Sequence, residues 1–193
     1  EKTEVMNYVR DVTIPKMKEV GVTLNIIKTN DYTKQSIIDD NGYCIIPIFK
    51  KDGDKIQKLR TSCNDKWKVS VMRKWLLEQG VERYVSLIGI STDEKHRQRK
   101  EHKKYYKNTY PLIELGMDRQ ACIDYIVNLG WGEPPRSSCY ICGQQDDGAW
   151  WRMKVRSEED FKKAVEIEKK LQAVNSNLYL HRSCKPLREV FYL

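Results

Sequence analysis

The sequence has no apolar run long enough to cross a membrane, no internal repeat and no low-complexity tract. Its longest apolar runs, such as residues 43–49, are far shorter than the roughly 20 residues that a membrane-spanning helix requires. The order of charged, apolar and small residues that marks a secretory signal is also missing from the first residues. We therefore expect a soluble protein of the cytoplasm, whose six cysteines are thiols or metal ligands rather than disulfides.

The sequence does contain enough apolar residues for one folded domain, together with an excess of positive charge. Of its 193 residues, 40% are hydrophobic and 32% are charged, a balance that argues against disorder. A chain of this length buries about 70% of the surface that it exposes when unfolded, so it needs no disulfide framework. The net charge of +8 favours an anionic partner, a nucleotide or a nucleic acid, without choosing between them.

The pattern of apolar residues predicts alternating helices and isolated strands. Apolar side chains recur at helical spacing in four segments, residues 3–20, 67–80, 118–127 and 157–171. Three short segments have the composition of strands, residues 23–28, 84–90 and 109–115. The second of these is nearly all apolar, which predicts a parallel strand covered on both faces. An Asp-Gly turn at Gly53 predicts a hairpin, and the whole pattern predicts an α/β fold with one parallel sheet and this hairpin appended.

A candidate metal site consists of four cysteines, Cys63, Cys139, Cys142 and Cys184. Cys139 and Cys142 have the Cys-x-x-Cys spacing that lets two thiolates bind one metal from a single tight turn. The other two are distant in sequence, so the fold decides whether the site closes. The alternatives are an iron–sulfur cluster, a zinc ion, a redox dithiol at the pair and reduced structural cysteines. Cys44 and Cys122 lie within apolar patterns and are predicted to be core residues.

Polar residues directly after the strand predicted at residues 84–90 form a second candidate site. In an open parallel sheet, ligands gather at the carboxyl ends of strands. Glu94 and Arg97 lie there, three residues apart, where they can hold a ribose or a phosphate. A capped helix with a surface ion pair is the alternative interpretation. Arg182, beside His181, is a further candidate for an anion contact.

A strip of positive charge spans residues 95–107, where seven of thirteen residues are lysine or arginine. Such a strip can follow the phosphates of a nucleic acid while Tyr105 and Tyr106 stack on its bases. A solvated helix face with inward-pointing tyrosines explains the same pattern, and Glu101 interrupts the run. We favour the solvated face.

Several motifs, taken in order, resemble those of one family. They are Arg60-x-x-Cys63 with Lys66 and Lys68, residues 89–97, Tyr110-Pro-Leu-Ile113, Ser137-Ser-Cys139-x-x-Cys142, Trp150, and Leu180-His-Arg-Ser183 with Pro186-Leu187. Over nearly the whole chain this ordered set resembles the phosphoadenosine phosphosulfate (PAPS) reductase-like branch of the adenine nucleotide alpha hydrolase (PP-loop) superfamily. Glu1-Lys-Thr-Glu4 resembles the stretch that follows the second strand of that fold.

The resemblance implies a Rossmann-like (HUP-type) parallel sheet flanked by helices in residues 1–135, with the hairpin inserted near residues 43–60. Residues 136–193 would form a cysteine-containing loop and a helical region packed on the same domain. The implied activity is that of an enzyme that binds ATP or an adenylyl sulfate and acts in sulfur transfer or phosphosulfate reduction. The implied nucleotide contacts are Arg60, Lys68, Glu94 and Arg97, to which the anion contact at Arg182 adds. The implied ligands of an iron–sulfur cluster are Cys63, Cys139, Cys142 and Cys184.

The chain departs from the family's pattern at the pyrophosphate cradle, a glycine-rich loop of the Ser-Gly-Gly-x-Asp-Ser type after the first strand. No two glycines are adjacent here, and the chain opens at Glu1 with a helical pattern. We expect that the cradle either precedes Glu1 in a longer protein or has been lost. A C-terminal redox cysteine tail is not recognisable either, which favours nucleotide-dependent sulfur transfer over reduction of PAPS itself. An inactive accessory or nucleic-acid-binding protein that keeps the fold is the alternative.

Overall fold

The computed structural model describes residues 1–28, 37–38, 43–99 and 104–192. The described helices are α1 (Thr3–Tyr8), α2 (Ile14–Glu19), α3 (Ser70–Glu78), α4 (Pro111–Glu114), α5 (Arg119–Asn128), α6 (Asp147–Arg156), α7 (Glu158–Val174) and α8 (Leu187–Val190). The described strands are β1 (Phe49–Asp52), β2 (Lys55–Lys58), β3 (Tyr84–Leu87), β4 (Tyr106–Thr109) and β5 (Leu178–Tyr179). No helix in this part of the chain combines the length and the apolar character needed to cross a membrane.

The helix predicted over residues 3–20 forms in two halves. α1 and α2 are joined by a π-type turn, Val9–Thr13, and Pro15 lies in the first turn of α2. A proline is tolerated there because the first amides of a helix have no intrahelical acceptor. A second π-type turn, Asp65–Val69, leads into α3 in the segment where a helix is also predicted. Both helix predictions are therefore confirmed.

The described strands form two small sheets. β1 pairs with β2 and β5 in an antiparallel sheet, and the β1–β2 turn passes through Gly53, whose φ of +58° favours glycine. β3 and β4 form a parallel pair in which Tyr84 lies opposite Tyr106. The hairpin and the α/β class are confirmed, and the parallel pairing in the described residues is limited to these two strands.

Three of the strand predictions differ from the structure. Residues 23–28 form no strand. Residues 111–114 are helical, because Pro111 has the fixed φ that favours the first turn of a helix, and the strand lies earlier, at β4. β3 is not covered on both faces, since Val85 and Leu87 are 60% and 73% exposed. Alternate side chains of a strand point to opposite faces, and here one face of β3 is largely open.

The hydrophobic core lies between α6, α7 and the segment at residues 44–48. Trp150 and Phe161 are completely buried at its centre, against Ile46 and Ile48. The apolar stripe predicted for the last long helix is confirmed, because Phe161, Ala164, Val165 and Leu171 are all buried. The core takes residues from both sides of the boundary predicted at residue 135. Cys44 lies in it as predicted, whereas Cys122 is half-buried and lies outside it, so that prediction is wrong.

Candidate functional site

A cavity of about 940 Å³ lies beside this core. Its walls come from the start of α1, the turn Asp65–Val69, the 3₁₀ helix Thr92–Arg97, the loop at residues 133–146 and one face of α6. Ile46, Trp67, Ile141 and Met153 contribute an apolar surface. The volume lies within the range of about 300–1,000 Å³ that is typical of pockets for small molecules and cofactors.

Positive charge predominates on the walls of this cavity. Seven cationic residues line it, Lys2, Lys68, Arg97, Arg119, Arg136, Arg152 and Arg156. Four acidic residues lie among them, Glu4, Glu94, Glu133 and Asp146. A concave site lined by one excess charge concentrates ligands of the opposite sign. The cavity is therefore suited to an anionic ligand.

Three of the five predicted nucleotide contacts line the cavity, namely Lys68, Glu94 and Arg97. Arg97 Nη1 donates to Glu94 Oε1 at 2.6 Å, and both side chains remain partly exposed. Lys68 Nζ lies 3.2 Å from Glu1 Oε1. Burial opposes the charged form of Lys68, but the carboxylate of Glu1 outweighs it and raises the pKa of Lys68 above its usual value.

The other two predicted contacts, Arg60 and Arg182, lie outside the residues that line the cavity. Arg60 is exposed, and its carbonyl oxygen accepts a hydrogen bond from the Tyr43 hydroxyl at 3.4 Å. Arg182 pairs with Asp147 at the start of α6, and this hydrogen bond lowers the pKa of the Asp147 carboxyl. The buried His181 contacts the same carboxylate through Nε2 at 3.3 Å. Arg182 therefore helps to hold the Leu180–Ser183 segment on α6.

Cys63, Cys139 and Cys142 line the cavity, whereas Cys184 is buried in the hydrophobic core. Cys142 N–H donates to Cys139 O at 3.1 Å, which closes the tight turn expected of the Cys-x-x-Cys pair. The next residue, Gly143, lies so close to neighbouring backbone that a Cβ there would contact the carbonyl oxygens of Pro47 and Leu180. Burial raises the pKa of the Cys139 and Cys142 thiols, so both are neutral at pH 7 without a bound cation.

The four predicted metal ligands do not come together as one set. Within the described residues, no three histidine, cysteine, aspartate or glutamate side chains are arranged to hold a metal ion. Cys184 does not line the cavity that the other three border. Three thiols on one cavity wall are suitable donors for zinc or iron in kind, but the four-cysteine set does not fit as it stands. No step of the function proposed below passes through a metal.

The positive strip predicted at residues 95–107 is described only in part, because residues 100–103 lie outside the described residues. The Arg73 guanidinium lies 3.7 Å from the centre of the Tyr105 ring, and Arg73 Nη1 donates to the Tyr105 hydroxyl at 2.6 Å. Tyr106 stacks on Tyr84 with a centroid distance of 5.7 Å. Both tyrosines thus contact protein groups, as the inward-pointing alternative expects.

The sequence interpretation missed five of the cationic residues in the cavity, Lys2, Arg119, Arg136, Arg152 and Arg156. Arg152 and Arg156 are four residues apart on α6, a helix that Asp146 caps by accepting from Ala149 N–H at 2.7 Å. Residues at this spacing lie on the same helix face. Recognising Asp146 as an N-cap would have predicted α6 and placed both arginines beside Met153 on one face.

No family model matches the chain, and the comparisons with curated proteins and with solved structures found no match.

Proposed function

We propose that the chain binds the phosphate or sulfate groups of an adenine nucleotide in this cavity, with ATP or an adenylyl sulfate as the ligand. The observation that carries the proposal is the charge of the cavity, in which seven cationic residues face four acidic ones. Guanidinium and ammonium groups neutralise the negative charge on phosphate and sulfate oxygens, and a partly enclosed site strengthens that interaction. The ordered motifs described above favour the same ligand.

Each wall of the cavity has a role in this proposal. Lys68 and Arg97 contact the oxyanion, and Glu94, held by Arg97, accepts a hydrogen bond from a ribose hydroxyl. Trp67, Ile141 and Met153 offer an apolar surface against which a purine base can pack. The nucleotide is thereby held with its charged end on the basic wall.

The reaction class we propose is that of a PAPS reductase-like enzyme of the cytoplasm, acting in nucleotide-dependent sulfur transfer or phosphosulfate reduction. Neutralisation of the phosphate or sulfate oxygens by Lys68 and Arg97 lowers the charge that opposes attack on the activated group. The sulfur acceptor is a second partner, and a nucleic acid is one such acceptor. An iron–sulfur cluster, or a zinc ion in its place, is part of the proposal, but it would have to draw together Cys63, Cys139 and Cys142, which border the cavity without being arranged around a metal position.

Calorimetric titration with ATP, adenylyl sulfate and PAPS at low salt tests this function. We expect one of the three to bind, and Arg97→Gln to weaken its binding about tenfold, the loss typical of a charge-assisted hydrogen bond. Arg10→Gln is the matched control, because Arg10 is an exposed arginine that is also paired with a nearby carboxylate, Asp11, away from the cavity. If none of the three binds while RNA or DNA does at low salt, the accessory nucleic-acid-binding alternative replaces the proposal.

A further inference from the structure

Lys2 is a buried lysine on the cavity wall. Its side chain lines the cavity, and the residue is only 7% exposed. In the described part of the chain no carboxylate forms an ion pair with its ammonium group. Its carboxylate neighbours are Glu4 and Asp160, and both oxygens of Asp160 accept hydrogen bonds from Thr3 at 2.7 Å. Lys2 therefore carries a charge that the surrounding residues compensate only from a distance.

Two arginines on the same cavity add to this charge. Arg136 and Arg152 both act on Lys2 as like charges. Burial lowers the pKa of Lys2 most strongly; the carboxylate of Glu4 opposes this shift, and the two arginines add to it. The nearest acidic partner of Arg136 is Asp146, at 3.9 Å and on the exposed rim. The described residues contain no ion-pair partner for Arg152.

Backbone contacts and core packing fix the segments that carry these three cations. Lys2 N–H donates to Ser138 O at 3.1 Å, two residues from Arg136, and the Thr3–Asp160 contacts fix the start of α1 against α7. Arg152 projects from α6, which packs on the core through Trp150 and Met153. Of the three, Lys2 is buried, whereas Arg136 and Arg152 are exposed to solvent. An anion bound beside Lys2 would compensate its buried charge and could also be reached by the two arginines. The arrangement is therefore preorganised for an anion.

We propose that Lys2, Arg136 and Arg152 form an oxyanion subsite, which takes a tetrahedral phosphate or sulfate group. Two arginines present planar donor forks that match tetrahedral oxygens, and the lysine supplies a point charge from the buried side. This inference deepens the proposed function. It assigns one charged group of the nucleotide to a cavity wall other than the wall of Lys68 and Arg97. It also predicts that free inorganic sulfate or phosphate binds in the absence of nucleotide.

The test is titration of the whole chain with sodium sulfate and sodium phosphate, followed by calorimetry and thermal melting, with sodium chloride at equal ionic strength as the baseline. We expect sulfate or phosphate to bind and to raise the melting temperature in a saturable manner. Arg152→Gln and Lys2→Gln should each weaken this binding about tenfold, as the loss of one charged contact does. Matched controls are Arg188→Gln at an exposed position and Lys16→Gln at a half-buried one, since neither residue lines the cavity.

Equal effects of sulfate, phosphate and chloride would overturn the subsite, and so would unchanged binding by Arg152→Gln. Because Arg152 is exposed, that variant is expected to fold, which circular dichroism checks even if Lys2→Gln does not. Separate titrations with sulfate and with nucleotide distinguish the oxyanion subsite from the nucleotide-binding function. Sulfate binding without any nucleotide binding retains the subsite and rejects the nucleotide function. Nucleotide binding that is unaffected by both substitutions rejects the subsite and retains the function.

Discussion

Glu168 is a buried carboxylate that organises the C-terminal part of the chain. The residue is 2% exposed, and its two oxygens accept from the backbone N–H groups of Leu180 at 2.9 Å and Leu187 at 2.7 Å. These bonds hold the segment that carries His181 and the start of α8 against α7. Burial raises the pKa of Glu168, and the two N–H donors offset only part of this effect.

We expect Glu168→Gln to lower the free energy of unfolding by roughly 1–3 kcal/mol, because an amide group can accept only one of the two buried N–H groups. The raised pKa of Glu168 also determines how its contribution to stability changes with pH. The folded state keeps the proton on Glu168 above the unfolded value of 4.5, so its contribution to stability is greatest below pH 4.5 and declines as pH rises through the folded pKa. The stability advantage of the wild type over Glu168→Gln should therefore shrink as pH rises.

Chemical denaturation at several pH values measures this difference. Glu166→Gln is the matched control, since Glu166 lies on the same helix but is exposed and paired with Lys169. Equal stability of Glu168→Gln and Glu166→Gln would contradict the structural role of Glu168.

The burial of Glu168 follows from the sequence, because residue 168 continues the spacing of Phe161, Ala164, Val165 and Leu171. Its two backbone partners do not, because they lie on segments that the chain reaches only after it turns.

The turn from Cys139 to Cys142 is held in place by its packing, and this fixes where its two thiols lie. Gly143 packs against the backbone of Pro47 and Leu180, so the turn is fixed between the segment at residues 44–48 and the end of β5. Cys63 lies on the same cavity, where burial is the main cause of the raised pKa of Cys142. A cation bound to these thiols would lower the pKa values that burial raises.

Anaerobic purification followed by iron, sulfide and zinc analysis tests metal binding at this turn. We expect the wild type to contain iron and sulfide, or zinc in their place, and Cys142→Ser to lose the metal. Cys184→Ser and Cys122→Ser should keep it, because neither residue lines the cavity. Metal-free wild-type protein, or full metal content in Cys142→Ser, would reject the thiol site. The Cys-x-x-Cys spacing in the sequence predicted the pair Cys139 and Cys142. Only the packing shows that Cys63 lines the cavity with this pair and that Cys184 does not.

Residues far apart in sequence are joined where α1 meets α7. Asp160 is 2% exposed and accepts from both the backbone N–H and the hydroxyl of Thr3, 157 positions away in sequence. This contact places Lys2 on the cavity wall. The shape of the cavity therefore depends on a link between two segments that are distant in sequence.

We expect Asp160→Ala to destabilise the protein by roughly 2–3 kcal/mol, since two hydrogen bonds to a charged acceptor are lost. Thr3→Val removes only the hydroxyl donor and should cost about 1 kcal/mol. Amide hydrogen exchange of residues 5–8 should accelerate more in Asp160→Ala than in Thr3→Val, because the start of α1 loses its anchor. Unchanged exchange at α1 in Asp160→Ala would show that the link does not hold the helix.

Short-range patterns along the chain were enough to predict the helices at residues 3–20 and 67–80, the hairpin at Gly53 and the apolar face of α7. Such patterns record which face of an element is buried, because neighbours three or four positions apart share that face. They do not record what the face packs against. Lys2 and Arg152 line one cavity, and Arg60 and Cys184 lie outside it, because of contacts between segments far apart in sequence. Packing therefore determines which residues line the cavity, because it depends on burial and charge throughout the folded molecule.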